Sequence, residues 1–585
     1  MNWLQELLDS FFWIVKTLAI TAVVFPLMLY LLSKTTRWAH QFCLLAEEYL
    51  NPKRSLSPLI NFTIIVFFNL LSVRTGILFS NWYNAMYKAL QEMNGEAFWQ
   101  QMAVFAVIAT ISVSNALLTY YLSKRFVIQW RTWLNEKMLN QWTENQAYYK
   151  TQYLGEQLDN PDQRIQQDIN AFVSSSLDFA TGLIASVVSI FAFTLILWKL
   201  SGPMSIGSVE IPHAMVFLVF IYVLITSIFA FKLGRPLIKL NFDNERLNAN
   251  YRYSLIRLKE YAESIAFYRG EKMEKNLLLK QFDKVIDNLW AIVFRTLKLS
   301  GFNLVVSQVS VIFPFLIQAV RYFNHQISLG DLIQTSDAFG RVQSALSFFR
   351  NSYDEFTAYR AVLDRLTGFH TAINNANQPS NLRFHHSDHA IRFDKLTVTT
   401  PDAQPLIQGL DFTLPAGSAL LIQGNSGAGK TTLLRTLAGL WSYASGEITC
   451  PTQNTLFLSQ RPYLPQGRLI DALYYPELAP KNVDMQSAVA ILQKVQLGHL
   501  SEKLEQEQDW TRVLSLGEQQ RLSFARVLLQ KPVVAYLDEA TASMDEGLED
   551  AMYRLLKTEL PNMTIISVGH RSTLLCHHQH CLKIE

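Results

Sequence analysis

Apolar runs long enough to cross a hydrocarbon core of about 30 Å, which takes about 20 helical residues, recur near residues 11–32, 59–82, 102–122, 171–198, 213–231 and 302–320. This pattern predicts six spanning helices. A seventh run, 331–360, carries Asp331, Asp337, Arg341 and Arg350 among its aliphatic and aromatic residues. It is expected to span as a helix lining a water-filled cavity, where charge is tolerated. Arg74 falls inside an apolar run, so it is expected to face the cavity or snorkel outward. Asp337 and Arg341 are one helical turn apart and suit a structural ion pair. Between the runs, Lys and Arg crowd 123–170 and 232–300 and are sparse in 83–101, 199–212 and 321–330. The positive-inside rule then places the long segments in the cytoplasm, with 33–58 and its Lys34, Arg37, Lys53 and Arg54 also inside. Apolar positions at helical spacing from Arg246 to Tyr268 predict that the spans continue as helices beyond the membrane.

Between 366 and 389 the composition shifts to Asn, Gln, Pro, Ser and His, as in Asn374-Asn375-Ala376-Asn377-Gln378-Pro379-Ser380, which reads as a linker. From Ala390 onward short β-rich runs alternate with helices and predict an α/β domain. The expected division is 1–58, an extra N-terminal span and amphipathic elbow; 59–366, a helical membrane domain; 367–389, the linker; and 390–585, the α/β domain. Hydrophobic residues make up 50% of the 585, and the mean hydropathy is +0.11, which excludes an ordinary soluble protein. A net charge of +3 with 17% charged residues is too mild for nucleic acid as a main partner. Cys43, Cys450, Cys576 and Cys581 form no disulfide framework, so a reducing environment is expected for the last third. Met1–Ser10 contains no base, unlike a cleavable signal, and the first apolar run is expected to persist.

Gly424-Asn425-Ser426-Gly427-Ala428-Gly429-Lys430-Thr431 follows the apolar run Ala419–Ile422 and fits G-x-x-x-x-G-K-[ST], a phosphate-binding loop. Its backbone N–H groups would curl around the phosphates of ATP, Lys430 would reach the β- and γ-phosphates, and Thr431 would coordinate Mg²⁺. Thr432 extends the set of binding candidates. Val533–Leu537 is a buried-strand pattern ending in Asp538-Glu539, with Asp538 placed to hold Mg²⁺ and Glu539 to act as general base on the attacking water. Leu514-Ser515-Leu516-Gly517-Glu518-Gln519-Gln520-Arg521 resembles the signature sequence of ABC ATPases, which opens a helix. Its N–H groups, with Ser515, Gly517 and Glu518, suit a γ-phosphate. Ala542-Ser543-Met544-Asp545 fits a D-loop, Gln460 a Q-loop residue with catalytic and metal-binding roles, and His570 a γ-phosphate contact. The order of these motifs raises each above its bland reading as a solvated side chain. Two features depart from the pattern. Leu516 and Glu518 stand where many such proteins have glycine and glutamine, and Thr399-Thr400-Pro401 stand where an adenine-stacking aromatic is usual, leaving Phe393 as a distant candidate.

On Asn160–Ile165, Glu263–Glu271, Gly439-Leu440-Trp441 and the LSLGEQQR wording, the chain resembles ABC subfamily D and its bacterial relatives, the SbmA/BacA-type transporters and YddA-like fused proteins. The resemblance implies an exporter-type ABC helical bundle with an extra N-terminal span, fused to an α/β P-loop ABC ATPase domain. It implies a half-transporter acting as a homodimer in contact with membrane lipid, the phosphate loop of one subunit closing ATP against the Ser515 region of the other. It further implies uptake of cobalamin or a peptide-like solute across a bacterial inner membrane. The rivals are export of lipid or fatty acyl-CoA and ligand sensing without transport. Cys576-His577-His578-Gln579-His580-Cys581 holds metal-ligand residue types without the spacing of a structural zinc site, so local packing is expected. His385, His386 and His389 are expected to be solvated in the linker.

Overall fold

A computed structural model describes residues 3–154, 160–202, 204–206, 209–378, 381–387, 390–425, 427–477, 479–480 and 484–584. The chain forms two compact units, one from Met1–Leu139 with Asn160–Phe369 and the other from Asn140–Asp159 with His370–Glu585.

The first unit is helical. Its elements are α1 (Trp3–Thr35), α2 (Arg37–Ala46), α3 (Ser57–Gln91), α4 (Gly95–Thr143, which passes into the second unit), α5 (Ile169–Leu200), α6 (Ala214–Glu260), α7 (Glu271–Phe323), α8 (Leu329–Leu346), α9 (Phe348–Asn351) and α10 (Tyr353–Ala376). Among the described residues, six helices are long and apolar enough to cross a membrane. At 47 and 53 residues, α6 and α7 are about 70 and 80 Å long, far beyond a hydrocarbon core, so they continue past it as the periodicity predicts.

The seventh expected span is not one of the six. The run is interrupted at Ser347 and Ser352 into α8, α9 and α10, and Asp331, Asp337 and Arg341 make α8 too polar. Its apolar face is nonetheless core: Ala338, Phe339 and Val342 are buried with Ile77 of α3 and Phe193 of α5. Ser328 and Asp331 form a capping box at its start, and a Cβ on Gly330 would lie 2.2 Å from the Asn84 carbonyl. Only glycine lets α8 and α3 approach so closely. Asp337 and Arg341 pair at 3.5 Å. Arg74 neither faces a cavity nor snorkels: Nη2 meets Glu6 Oε2 at 3.1 Å and Nε donates to Ser10 at 2.9 Å. The partner that satisfies this buried charge lies on the extra helix α1.

The second unit holds two large sheets and a two-stranded ribbon pairing Gly467–Arg468 with Glu507–Gln508. Its strands are β1 (Leu382–His386), β2 (Ala390–Thr399), β3 (Pro405–Pro415), β4 (Ala419–Gly424), β5 (Ala444–Cys450), β6 (Thr455–Leu458), β7 (Val534–Asp538), β8 (Thr564–Val568) and β9 (His580–Ile584); α11 (Lys430–Leu437), α12 (Leu516–Gln530) and α13 (Glu546–Glu559) pack with them. One sheet runs β9-β4-β8-β7-β6, all parallel. A parallel sheet is covered on both faces and its strands read as continuous apolar runs. Leu420 and Tyr536 thus enter one core with Leu433 and Trp441, while Leu421 and Leu537 enter the other with Leu522 and Tyr553, as the two-residue period requires. The second sheet runs β1-β5-β2-β3.

The stretch expected as a linker is largely structured: α10 continues to Ala376 and β1 pairs with β5. His385 and His386 are exposed, as expected, with His385 3.5 Å from Glu447 and His386 bonding Thr452 at 2.9 Å. His389, Pro379 and Ser380 lie outside the described residues. The short helix Ala147–Lys150 leads to Tyr153, whose ring meets Trp441 at 4.9 Å and whose carbonyl accepts from Tyr443 at 2.8 Å.

Candidate functional site

Three parallel strands deliver their C-terminal ends to one place, the usual position for a site in an α/β sheet. From β4 the chain turns through Gly424, Asn425, Gly427, Ala428 and Gly429 into α11. Gly427 and Gly429 have φ of 87° and 92°, which side-chain-bearing residues rarely adopt. Ser426 lies outside the described residues. Buried Lys430 donates through Nζ to the carbonyls of Gly424 and Asn425, each at 2.8 Å, which folds the ammonium back over the loop. Thr431 Oγ1 donates to Asp538 Oδ1 at 3.1 Å, and Thr432 follows in the first turn of α11. A carboxylate beside a hydroxyl is a hard oxygen donor set that fits Mg²⁺. Burial pushes the Asp538 carboxyl up and the neighbouring Glu539 adds to this, against the opposing bond from Thr431.

Glu539 follows β7 in a left-handed turn, φ 49°, fixed by its N–H donating to Val568 O of β8 at 3.1 Å. Its carboxylate collects two expected partners. Gln460, from the loop after β6, donates through Nε2 to Oε2 at 2.9 Å. His570, after β8, places Nε2 at 3.3 Å from Oε1. Because Gln460 uses its amide nitrogen here, its amide oxygen is the atom suited to a cation.

Ser515 caps α12. Its hydroxyl donates to Glu518 Oε2 at 2.8 Å and accepts from Glu518 N at 3.4 Å, completing a capping box. His499 Nε2 lies 3.0 Å from the other Glu518 oxygen. Burial raises the Glu518 carboxyl, but the bonds from Ser515 and His499 outweigh it and leave it below the ordinary range. A Cβ on Gly517 would come within 3.0 Å of Ser543 O, so the first turn of α12 lies against the Ala542–Asp545 loop. Asp545 caps α13 by accepting from Leu548 N at 2.8 Å.

Two residues that the motifs did not single out hold these loops. Fully buried Gln520 donates to Gln460 O at 2.9 Å and accepts from Ser543 N at 3.0 Å. Arg571 donates to Met544 O at 2.9 Å and lies 3.5 Å from Glu549. In the sequence Gln520 stands only as one residue of the signature wording; its partners come from distant loops.

Phe393 is not a stacking ring. It is buried beside Phe412 at 6.3 Å. Thr400 instead closes the turn between β2 and β3, its hydroxyl accepting from Gln404 N at 3.1 Å. The C-terminal histidines pack locally: His577 Nε2 lies 3.0 Å from Asp550 and its ring stacks on Tyr553. His578 bonds Ser567 at 2.8 Å and is pushed down to about 4 by burial. Asp550, Cys576 and His577 bring ligand atoms within 4.8 Å of one another, but Asp550 already pairs with Arg554 at 2.9 Å.

Residues 45–323 match the family model described as ABC transporter transmembrane region 2, and residues 407–542 that described as ABC transporter. The chain is 61% identical over 585 residues to an uncharacterized ABC transporter ATP-binding protein of Haemophilus influenzae, covering 100% of this chain and 99% of the relative. It is 32% identical to the inner membrane ABC transporter ATP-binding protein YddA of Escherichia coli, covering 91% and 95%. It is 31% identical to the chloroplastic ABC transporter D family member 2 of Arabidopsis thaliana, covering 85% and 79%. In fold it resembles a bacterial Atm1-family ABC exporter solved with ATP bound, TM-score 0.71 at 16% identity, covering 91% and 94%.

Proposed function

Because the chain belongs to the ABC transporters, as a fused half-transporter with one membrane region and one ATPase domain, we propose that two copies assemble to hydrolyse ATP and move a solute across a bacterial inner membrane. The observation that carries the catalytic reading is the convergence of Gln460 and His570 on the Glu539 carboxylate. In this reading Glu539 takes the proton of the attacking water, His570 contacts the γ-phosphate and Gln460 reports nucleotide state to the membrane region. Gly424–Thr432 cradle the phosphates, with Lys430 turning from its carbonyl partners to the β- and γ-phosphates. Thr431, Asp538 and the Gln460 amide oxygen would hold Mg²⁺, which offsets charge on the phosphates. Ser515, Gly517 and Glu518 at the start of α12, with Asp545, close the site from the second copy, where the helix N-terminus favours an anion.

The solute we propose is cobalamin or a peptide-like compound, on the resemblance to the SbmA/BacA-type relatives. Proteoliposomes loaded on one side with cobalamin, a proline-rich peptide or a fatty acyl-CoA test it, and movement of the acyl-CoA alone would replace it. For the motor, Glu539→Gln is expected to bind ATP as the parent does and to hydrolyse it at least a hundredfold more slowly. Parental turnover in that variant excludes Glu539 as the base.

A further inference from the structure

Within the helical unit, α6, α7 and the interrupted run α8–α10 line an open cavity of ≈ 600 Å³. Leu224 and Ile228 of α6 and Leu299 of α7 give it an apolar wall, whereas Arg235, Arg350 and Asp354 give it a charged end. From Leu224 to Arg235 is roughly 16 Å along the helix axis, so the two characters are separated in space. Arg235 also lies just past the apolar run of α6, where the positive-inside reading puts the inner membrane boundary.

Two groups lining this cavity are unmatched. Arg350 Nη1 and Asn303 Oδ1 are buried and have no hydrogen-bond partner among the described residues. Arg350 Nε reaches Asn351 Oδ1 at 3.4 Å, which leaves Nη1 to seek another acceptor. A guanidinium N–H is best matched by an anion, and an amide oxygen needs a donor.

We propose that this cavity binds an amphiphile whose apolar chain lies along Leu224, Ile228 and Leu299, whose anionic group meets Arg350 and whose adjacent hydroxyl or amide N–H donates to Asn303. N-acyl amino acids and acidic glycerolipids share this chemistry. Two cations against one acid disfavour a cationic head, and a neutral head leaves Arg350 unmatched. The site does not rest on the ATP-driven reading, because binding is measured without nucleotide.

The test uses the full chain in phosphatidylcholine nanodiscs, with calorimetric titration of N-dodecanoylglycine, dodecyl maltoside and dodecyltrimethylammonium. The anionic probe is expected to bind at least tenfold more tightly than either of the others. Arg350→Gln should bring it to the level of the maltoside, and Ile228→Trp should remove binding by filling the wall. The melting temperature and size-exclusion profile of both variants, expected to match the parent, report intact folding. Phosphatidylglycerol added to the nanodisc identifies the source: displacement of the probe assigns the site to membrane lipid, and bound probe without displacement assigns it to a free solute. Equal affinity for the three head groups in the parent protein overturns the proposal without recourse to any variant, as does parental binding in both variants.

Discussion

Burial makes ionisation of Asp538 costly. Its folded carboxyl lies above the usual carboxylate range, first because of burial, so the native protein binds its proton more tightly than the unfolded chain does. Stability from this group is therefore fully present below the unfolded pKa, about 3.9, and is lost as pH rises through the higher folded value. Asp538→Asn should melt higher than the parent at neutral pH without nucleotide, by a few degrees, and the gain should shrink under acid. The same variant should no longer be stabilised by MgATP, and thermal melts with and without nucleotide read both effects. Gln520 is a different kind of residue, joining Gln460 to Ser543 through both ends of one amide. Gln520→Leu removes both bonds, to the Gln460 carbonyl and from the Ser543 N–H, each contributing about 0.5–1.5 kcal/mol. A lowered melting temperature with hydrolysis reduced at least tenfold is expected; parental turnover would mean that the bridge has no part in the cycle.

At the scale of elements, the turn between β2 and β3 offers no ring to a nucleobase, since Thr400 closes it and Phe393 is core. Recognition then falls on the phosphate loop, which ATP and GTP engage alike. The concentration dependence of hydrolysis should differ between them by less than a hundredfold, about 2.7 kcal/mol; a larger preference would require another residue to read adenine. Elements with a strong local signal were legible in the sequence. The strands β4, β7 and β8 are continuous apolar runs because a parallel sheet buries both faces, and the phosphate loop has glycines where φ is positive. What depends on long-range pairing was not legible. Arg74 finds Glu6 across 68 positions, Gln520 finds Gln460 across 60, and α8 is polar by composition yet central in the bundle because its neighbours supply the apolar surface. The strand within 367–389 was illegible for a related reason: four of the five residues of β1 are exposed, and its order comes from pairing with β5.

For the whole molecule, the Ser515 hydroxyl is committed to its own helix cap and, in the proposed assembly, serves the phosphate loop of a second copy. In mixtures of Lys430→Ala and Ser515→Arg subunits, a heterodimer carries both lesions in one composite site and none in the other. ATPase should return to a fraction of the parental rate in mixtures and be absent from either variant alone, and no recovery in purified heterodimers would count against composite sites. The unit that bears this chemistry is itself discontinuous, since it takes in Asn140–Asp159. Tyr153 and Tyr443, joined by a hydrogen bond, are 290 residues apart in the chain. At about 5–20 residues per second on the ribosome, the Tyr153 segment emerges about 15–60 seconds before the Trp441–Tyr443 surface it covers. During biosynthesis the motor therefore waits on one of its own pieces, and an ATPase fragment begun after the membrane region leaves Trp441 without the ring that shields it.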